Sequence, residues 1–299
     1  MTETRLSPSA ASAAPPSGML LAFVGVLVFS FTVPMTKVAV VHLSPLFLGV
    51  GRAVVAGALA AIVLWWRGAS LPSGRQRVRL LVVMAGVVFG FPILTAFALH
   101  HVPAAHGSVV TGLLPLVTAG VAVVRVGERP SPAYWACSVV GLGAVVWYVA
   151  RRGGGSLHLA DLLLVLAVLA AAVGYAEGAL LSREMPAWQV ISWALCLALP
   201  ITVPIALTTL NRRMAAATFG QWAAFGYTAV LSAFLGFFAW YAGLARAGIA
   251  RAGQLQLAQP AFALLWAWPL LGERPDALAV VTMAVVLGAV WVGRSAVVR

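Results

Sequence analysis

Apolar runs of about 20 residues, separated by short polar stretches, dominate this chain of 299 residues. A helix needs about 20 apolar residues to cross a bilayer, so ten such runs predict ten membrane-spanning helices. Their approximate bounds are 18–40, 45–66, 78–99, 105–124, 132–149, 157–181, 187–208, 221–243, 249–271 and 276–293. The sequence lacks the ten-residue alternation of barrel strands, and lipid leaves no water for unpaired backbone groups. The predicted fold class is therefore an all-α membrane protein.

A shift of 145 residues, the separation of Pro115 and Pro260, relates the two halves of the chain. The same shift places Gly127-Glu128-Arg129-Pro130 on Gly272-Glu273-Arg274-Pro275. Each copy contains five predicted spans, an odd number, so the second copy enters the membrane from the opposite side. The sequence thus predicts two inverted five-helix repeats, over 18–150 and 157–293. A disordered cytoplasmic tail rich in Ser, Ala and Pro is expected over 1–17.

Composition and charge agree with a membrane protein. Hydrophobic residues make up 62% of the chain and charged residues only 9%, against about 25% charged in soluble domains, which excludes a soluble enzyme. The net charge of +12 is spread singly between apolar runs, so the expected partner is the lipid bilayer and not nucleic acid. With the N-terminus inside, the tails, connections and span ends on that side carry 12 arginines, and those on the other side carry 5. This bias predicts cytoplasmic N- and C-termini.

These features resemble the drug/metabolite transporter superfamily, and within it the EamA-type exporters. The resemblance rests on the two five-span halves, on Pro115 and Pro260, on the Gly-Glu pairs at 127–128 and 272–273, and on Phe29-Ser30-Phe31-Thr32-Val33-Pro34 followed by Lys37. In overall character the chain is most similar to the YddG-like amino-acid exporters. The resemblance implies a multi-pass protein of the inner (plasma) membrane. It also implies that spans 1, 3, 4, 6, 8 and 9 line a central cavity, with spans 5 and 10 outside.

Candidate substrate-binding residues cluster around the two repeated prolines. Helices broken at matching positions mark substrate sites in inverted-repeat carriers. Polar groups precede both prolines, and Pro260 is expected to free the carbonyl of Gln256 as an acceptor. Deep aromatic residues could form a wall for an apolar substrate side chain. The candidate set is Lys37, Phe91, Thr111, Tyr175, Trp240, Gln256, Gln259 and Trp266, with Pro115, Pro260 and Glu177 as coupling or gating residues.

Charged residues within the spans allow two interpretations each, since a charge at midplane is costly. Lys37 could attract a substrate carboxylate or extend to the outer headgroups, and Arg52 could do the same or pair helices. Glu177 could be a coupling or gating carboxylate, or it could pair with Arg183 at the cytoplasmic end of its span. Glu128 and Glu273 are expected to cap the N-termini of spans 5 and 10.

The combined prediction is a carrier, secondary-active or facilitative, that exports small metabolites by alternating access at a central cavity. Aromatic and other apolar amino acids are the favoured substrates, and drugs or other metabolites of the superfamily are the alternative. The carrier is expected to be a monomer without cofactor or metal. An intramembrane enzyme would need paired acids or a motif such as HExxH or GxSxG, which the sequence lacks. A pore would require rings of charges or carbonyls.

Overall fold

The computed structural model describes residues 16–126, 132–152, 158–247, 252, 255–256 and 258–293, and the regular elements in these ranges are all helical. The α-helices are Pro16–Ser30 (α1), Thr32–Ala39 (α2), Pro45–Trp66 (α3), Gly74–Val83 (α4), Phe91–His101 (α5), Ala104–Thr111 (α6), Leu114–Val126 (α7), Pro132–Arg152 (α8), Leu159–Leu181 (α9), Ala187–Thr208 (α10), Phe219–Gly226 (α11), Gly236–Ala247 (α12), Ala258–Leu271 (α13) and Ala277–Gly293 (α14). Two π-helical stretches, Met84–Gly90 and Tyr227–Leu235, and a 3₁₀ helix, Arg212–Ala216, complete the set. The all-helical prediction is confirmed for these ranges. Most of the predicted tail, residues 1–15, lies outside them.

Seven helical segments of the described chain are long and apolar enough to cross a bilayer. They are Ser17–Ala39, Pro45–Trp66, Gly74–His101, Ala104–Arg125, Leu159–Leu181, Ala187–Thr208 and Phe219–Ala247, and they correspond to predicted spans 1–4 and 6–8. Predicted spans 5, 9 and 10 correspond to α8, α13 and α14. In α8 and α14 the apolar part is shorter, and α13 itself has 14 residues. The chain is therefore a multi-pass membrane protein, with seven spans established by length and composition.

Helix packing follows the 145-residue repeat. α3 packs on α10, and α8 packs on α14, so each of these helices contacts its own counterpart in the other half. α6 packs on α13, whose counterpart in the first half is α7. α1 packs on α12, while α9, the counterpart of α1, packs on α5, the counterpart of α12. When a two-fold axis relates two halves, a helix on the axis contacts its own counterpart, and any other contact between the halves occurs a second time between the two counterparts. The α3, α8, α1 and α5 contacts above follow this pattern.

Glycines allow close crossings between the two halves. A Cβ atom on Gly243 would lie 2.5 Å from the backbone nitrogen of Ala22, where α12 crosses α1. A Cβ atom on Gly86 would lie 2.2 Å from the carbonyl oxygen of Ala170, where the first π-helical stretch crosses α9. Helix association in lipid depends on such close backbone approach, so these glycines set how tightly the two halves interlock.

Local irregularities also recur at the same shift. The Ser73 hydroxyl accepts a hydrogen bond from the Gln76 backbone N–H, and the Gln76 side chain accepts one from the Ser73 N–H. Thr218 and Gln221 form the same capping box 145 residues later. Each capped helix then passes into a π-helical stretch, and the two stretches end at residues 90 and 235. Because π-helical insertions are frequent at functional sites, the residues beside both stretches are candidates for such a site.

The expected cap on the last helix is wrong. The Glu273 carboxylate accepts a hydrogen bond from the Ala105 backbone N–H at 3.0 Å, so it caps α6 and not α14. The Asp276 carboxylate caps α14 by accepting from the Ala279 N–H at 2.9 Å. An acidic residue a few positions before a helix predicts a cap there, but chain order cannot show which of two neighbouring helix ends it reaches. Glu128, the equivalent residue of the first repeat, lies outside the described residues.

Candidate substrate-binding site

The two ends of the bundle differ in their ionisable side chains. We call the end that bears the connections 67–73 and 182–186 the arginine face, because it carries Arg67, Arg79, Arg125, Arg183 and Arg246. The opposite end bears the connections 102–103 and 209–218, and we call it the histidine face. The five histidines of the chain lie at that end: His42, His100, His101, His106 and His158.

A small cavity lies between the two faces, with one wall made of aromatic rings. Phe29 of α1, Phe91 of α5, Tyr175 of α9 and Phe237 of α12 contribute to this wall. The Phe29 ring centroid lies 4.8 Å from that of Phe237 and 6.4 Å from that of Tyr175. Four helices from both repeats thus contribute aromatic rings to the cavity lining, which suits an apolar or aromatic substrate side chain.

Polar side chains also line the cavity, and we call them the polar wall: Thr32, Arg52, Ser232 and Gln259. The hydroxyl oxygens of Thr32 and Ser232 lie 2.8 Å apart and join α2 to the second π-helical stretch. Val87, in the first π-helical stretch, also lines the cavity and precedes Ser232 by 145 residues. The cavity therefore lies where equivalent positions of the two repeats meet.

Arg52, for which the sequence allows a substrate contact, a headgroup contact or helix pairing, lines the central cavity. Its side chain is buried, with 5% of the residue exposed, and its Nε makes no hydrogen bond within the described part of the chain. A charge within the bilayer costs about 2.5–3.5 kcal/mol by insertion scales. An arginine seven residues inside a span can also reach the headgroups, so the sequence pattern alone favoured the peripheral position.

No acidic residue within the described ranges offsets this charge. All of those that the structure describes bond to other groups: Asp161 to His106, Glu177 and Glu184 to Arg79, Glu273 to the backbone of α6, and Asp276 to the backbone of α14. Among the other polar lining residues, the Gln259 Oε1 is also buried without a hydrogen-bond partner among the described residues. The cavity thus holds a cationic donor and a neutral acceptor that both have unused hydrogen-bonding capacity.

The cavity is closed in this conformation. It leaves about 10 Å³ for the centre of a water molecule, which is room for a single water. Larger clefts of about 540 and 300 Å³ open near Arg67 and Arg246 on the arginine face and near His106 and His158 on the histidine face. Those clefts lie at the ends of the bundle, so the central cavity is the better substrate site, and a substrate can enter it only when its walls separate.

Three predicted binding residues line the central cavity: Phe91, Tyr175 and Gln259. Trp240 packs directly behind this wall, with its ring centroid 5.9 Å from that of Tyr175. Trp266 lies beside the break in the first span, where its ring stacks on Phe31 at 4.5 Å and its Nε1 donates to the Ser30 hydroxyl at 3.0 Å.

The break in the fourth span lies against the start of α13. α6 ends at Thr111 and α7 begins at Leu114, one residue before Pro115. A Cβ atom on Gly112, in this break, would lie 3.6 Å from the Pro260 ring at the start of α13. The prolines therefore lie at a crossing of spans 4 and 9.

Polar groups beside these prolines are only partly available to a ligand. The Thr111 hydroxyl donates to the Gly107 carbonyl of its own helix at 2.8 Å. The Gln256 carbonyl, which Pro260 was expected to free, accepts from the Gln259 backbone N–H at 3.1 Å, so that expectation is wrong. The Gln256 side chain is 1% exposed, and both of its amide atoms lack a partner among the described residues.

Lys37 does not line the central cavity. Its Nζ donates to the carbonyl oxygens of Leu99 and Val102, both at 2.8 Å, at the C-terminal end of α5. A lysine that bonds the last carbonyls of a helix satisfies acceptors with no partner inside the helix and complements the helix dipole. The structure therefore gives Lys37 a third role, which neither interpretation of the sequence included.

Glu177 ties three helices together at the arginine face. Its side chain is 3% exposed and bonds to Arg79 of α4 and to Arg125 of α7, the latter at 2.9 Å. Arg79 also bonds to Glu184, just beyond α9. We call these four residues the Glu177 network. The pairing with Arg183 considered in the sequence analysis is replaced by two partners that are 98 and 52 residues away along the chain.

Comparison with known proteins agrees with this architecture. The profile of the EamA-like transporter family matches residues 16–150 and 158–293, one match for each repeat. The "Uncharacterized transporter YdeK" of Bacillus subtilis (strain 168) is 44% identical over 272 residues, which cover 91% of this chain and 95% of that protein. A "Probable terminal-alkyne amino-acid exporter" of Streptantibioticus cattleyicolor is 28% identical and covers 78% of both chains. One solved crystal structure, at 21% identity, covers 93% of this chain and 98% of its own with a TM-score of 0.67, which supports the fold.

Proposed function

Because this chain belongs to the EamA-like transporter family, we propose that it exports small amphipathic metabolites, foremost amino acids with aromatic or other apolar side chains. The observation that carries the proposal is the central cavity, whose lining combines aromatic rings with polar side chains. A free amino acid offers the same two kinds of group, since its charged groups lie at one end and its side chain at the other. The 28% identical relative named as an amino-acid exporter supports the same substrate class.

Transport would proceed by alternating access between the two faces. Two repeats of similar structure supply two conformations of similar energy, because each half can adopt the conformation of the other. The Glu177 network links α4, α7 and α9 at the arginine face, and we propose that these links keep the central cavity closed from that side. We propose that export begins when this network opens and the cavity walls separate, and that the histidine face opens afterwards.

The proposed topology has ten spans in two inverted repeats, with both termini in the cytoplasm and the arginine face inside. α8, α13 and α14 would supply spans 5, 9 and 10. The repeated capping boxes and π-helical stretches support equivalent paths for the two halves. The excess of arginine on one face supports the orientation in the inner (plasma) membrane. We propose a monomer as the functional unit.

Other metabolites or drugs remain the second candidate class, because members of the superfamily differ in substrate. Uptake into proteoliposomes separates these possibilities. Labelled aromatic, aliphatic and polar amino acids are compared with labelled cationic drugs, and empty liposomes give the background. We expect saturable uptake of the aromatic and aliphatic amino acids. Saturable uptake of the drugs, with every amino acid at the background level, would favour the second class.

A further inference from the structure

We infer that Arg52 binds a carboxylate of the transported substrate in the central cavity, which makes the substrate class carboxylate-bearing. The inference rests on the proposed function, and it names the group that the polar wall recognises. The guanidinium presents parallel N–H donors in a fixed fork that matches the two oxygens of a carboxylate. Arg52 lines the cavity, is 5% exposed, and has its Nε unpaired within the described chain.

The surroundings of Arg52 leave this position to a ligand. The acidic residues in the described ranges bond to other groups, so none of them neutralises the guanidinium. Lys37, the other cation within a span, is occupied by two backbone carbonyls at the end of α5. Arg52 is therefore the cationic side chain that the cavity wall offers to an anion.

The rest of the cavity fits the remainder of an amino acid. The Gln259 Oε1, buried without a partner among the described residues, can accept a hydrogen bond from an ammonium group. The rings of Phe29, Phe91 and Phe237 then face the substrate side chain. This division predicts that the carboxylate is required for binding and that the ammonium group adds to affinity without being essential.

Thermal unfolding of the purified protein with four related probes tests the assignment. L-phenylalanine and 3-phenylpropionate carry a carboxylate, while phenethylamine and L-phenylalaninamide lack one. We expect the two carboxylates to raise the unfolding temperature of the wild type, because a ligand stabilises the state that it binds. The two probes without a carboxylate should leave it unchanged at the same concentration.

Substitution of Arg52 shows whether this side chain carries the preference. Arg52→Gln should weaken carboxylate binding about 10- to 100-fold, the effect of losing charged hydrogen bonds. Arg52→Lys keeps the charge but loses the guanidinium fork, so its carboxylate affinity should lie between those of the wild type and Arg52→Gln. Arg67→Gln, at an exposed arginine near the end of α3, is the matched control and should bind like the wild type. Unfolding temperatures without a ligand show that each variant is folded.

Three results would overturn the inference: no stabilisation of the wild type by either carboxylate, equal stabilisation by phenethylamine, or unchanged carboxylate binding by both Arg52 variants. Failure of the proposed function has a different signature, because it appears in transport. A wild type that binds carboxylates through Arg52 but moves no amino acid into proteoliposomes would contradict export and leave the Arg52 assignment intact.

Discussion

In this protein, the role of a charged side chain within a span depends on which backbone groups or cavity it reaches. Lys37 and Arg52 both lie within predicted spans, and their sequence contexts are alike. Lys37 bonds two carbonyls at a helix end, whereas Arg52 lines a cavity with its Nε unpaired. Chain position alone does not separate these cases, because the difference arises from which helix packs beside each side chain.

The role of Lys37 leads to a stability prediction. Lys37→Met removes two hydrogen bonds from a charged donor, so we expect the free energy of unfolding to fall by about 1.5–3 kcal/mol. Lys37→Arg, which can still donate to the carbonyls of Leu99 and Val102, is the control. Thermal unfolding measures the effect, and the preference for carboxylate probes should not change. Unchanged stability together with lost carboxylate binding would instead favour a substrate contact.

At the scale of elements, the crossing of α9 over the first π-helical stretch depends on one glycine. Gly86→Ala would place a methyl group 2.2 Å from the Ala170 carbonyl oxygen, so the helices must separate. Overpacking of this kind costs about 1–3 kcal/mol. Gly143→Ala is the matched control, because a Cβ atom there meets nothing within 4 Å on exposed α8. We expect a lower unfolding temperature for the first variant only, and equal values for both would contradict this packing.

The Glu177 network leads to a second prediction at this scale, about access to the central cavity from the arginine face. Glu177→Gln leaves Arg79 and Arg125 without their shared carboxylate, and breaking a buried ion pair costs about 3–5 kcal/mol. The closed arginine face should therefore open more often. Labelling of Val87→Cys by a maleimide, in a chain that also carries Cys137→Ser and Cys196→Ser, measures access to the cavity.

We expect faster labelling with Glu177→Gln than without it. Glu184→Gln is the control, since Glu184 also bonds to Arg79 but its side chain is 42% exposed, and exposed ion pairs contribute little. Equal labelling rates in all three proteins would show that the network does not close the cavity.

At the scale of the whole molecule, the two halves should respond alike to equivalent changes. Ser73 and Thr218 are 145 residues apart and each accepts a hydrogen bond at the start of its helix. Ser73→Ala and Thr218→Ala should each lower the free energy of unfolding by about 1 kcal/mol. Chemical or thermal unfolding of the two variants measures this, with Ser7→Ala in the N-terminal segment as the control. A large effect at only one cap would argue against equivalent halves.

Much of this architecture could be predicted from the sequence, because the length of an apolar run and the spacing of repeated motifs are visible along the chain without knowledge of packing. Seven of the predicted spans and the repeat follow from such signals. The partners of Glu177 could not be predicted, because they come from helices far away along the chain. Arg52 was undervalued for the same reason, since its position depends on how both repeats close around one cavity.

Counterflow in proteoliposomes tests the central claim most directly. Vesicles preloaded with unlabelled L-phenylalanine are diluted into a trace of the labelled amino acid, alongside unloaded vesicles and empty liposomes. The account predicts saturable accumulation of label that depends on the preloaded amino acid, as expected for a carrier with one alternating site. Label that stays at the level of empty liposomes for L-phenylalanine and for each aliphatic amino acid tested would contradict it.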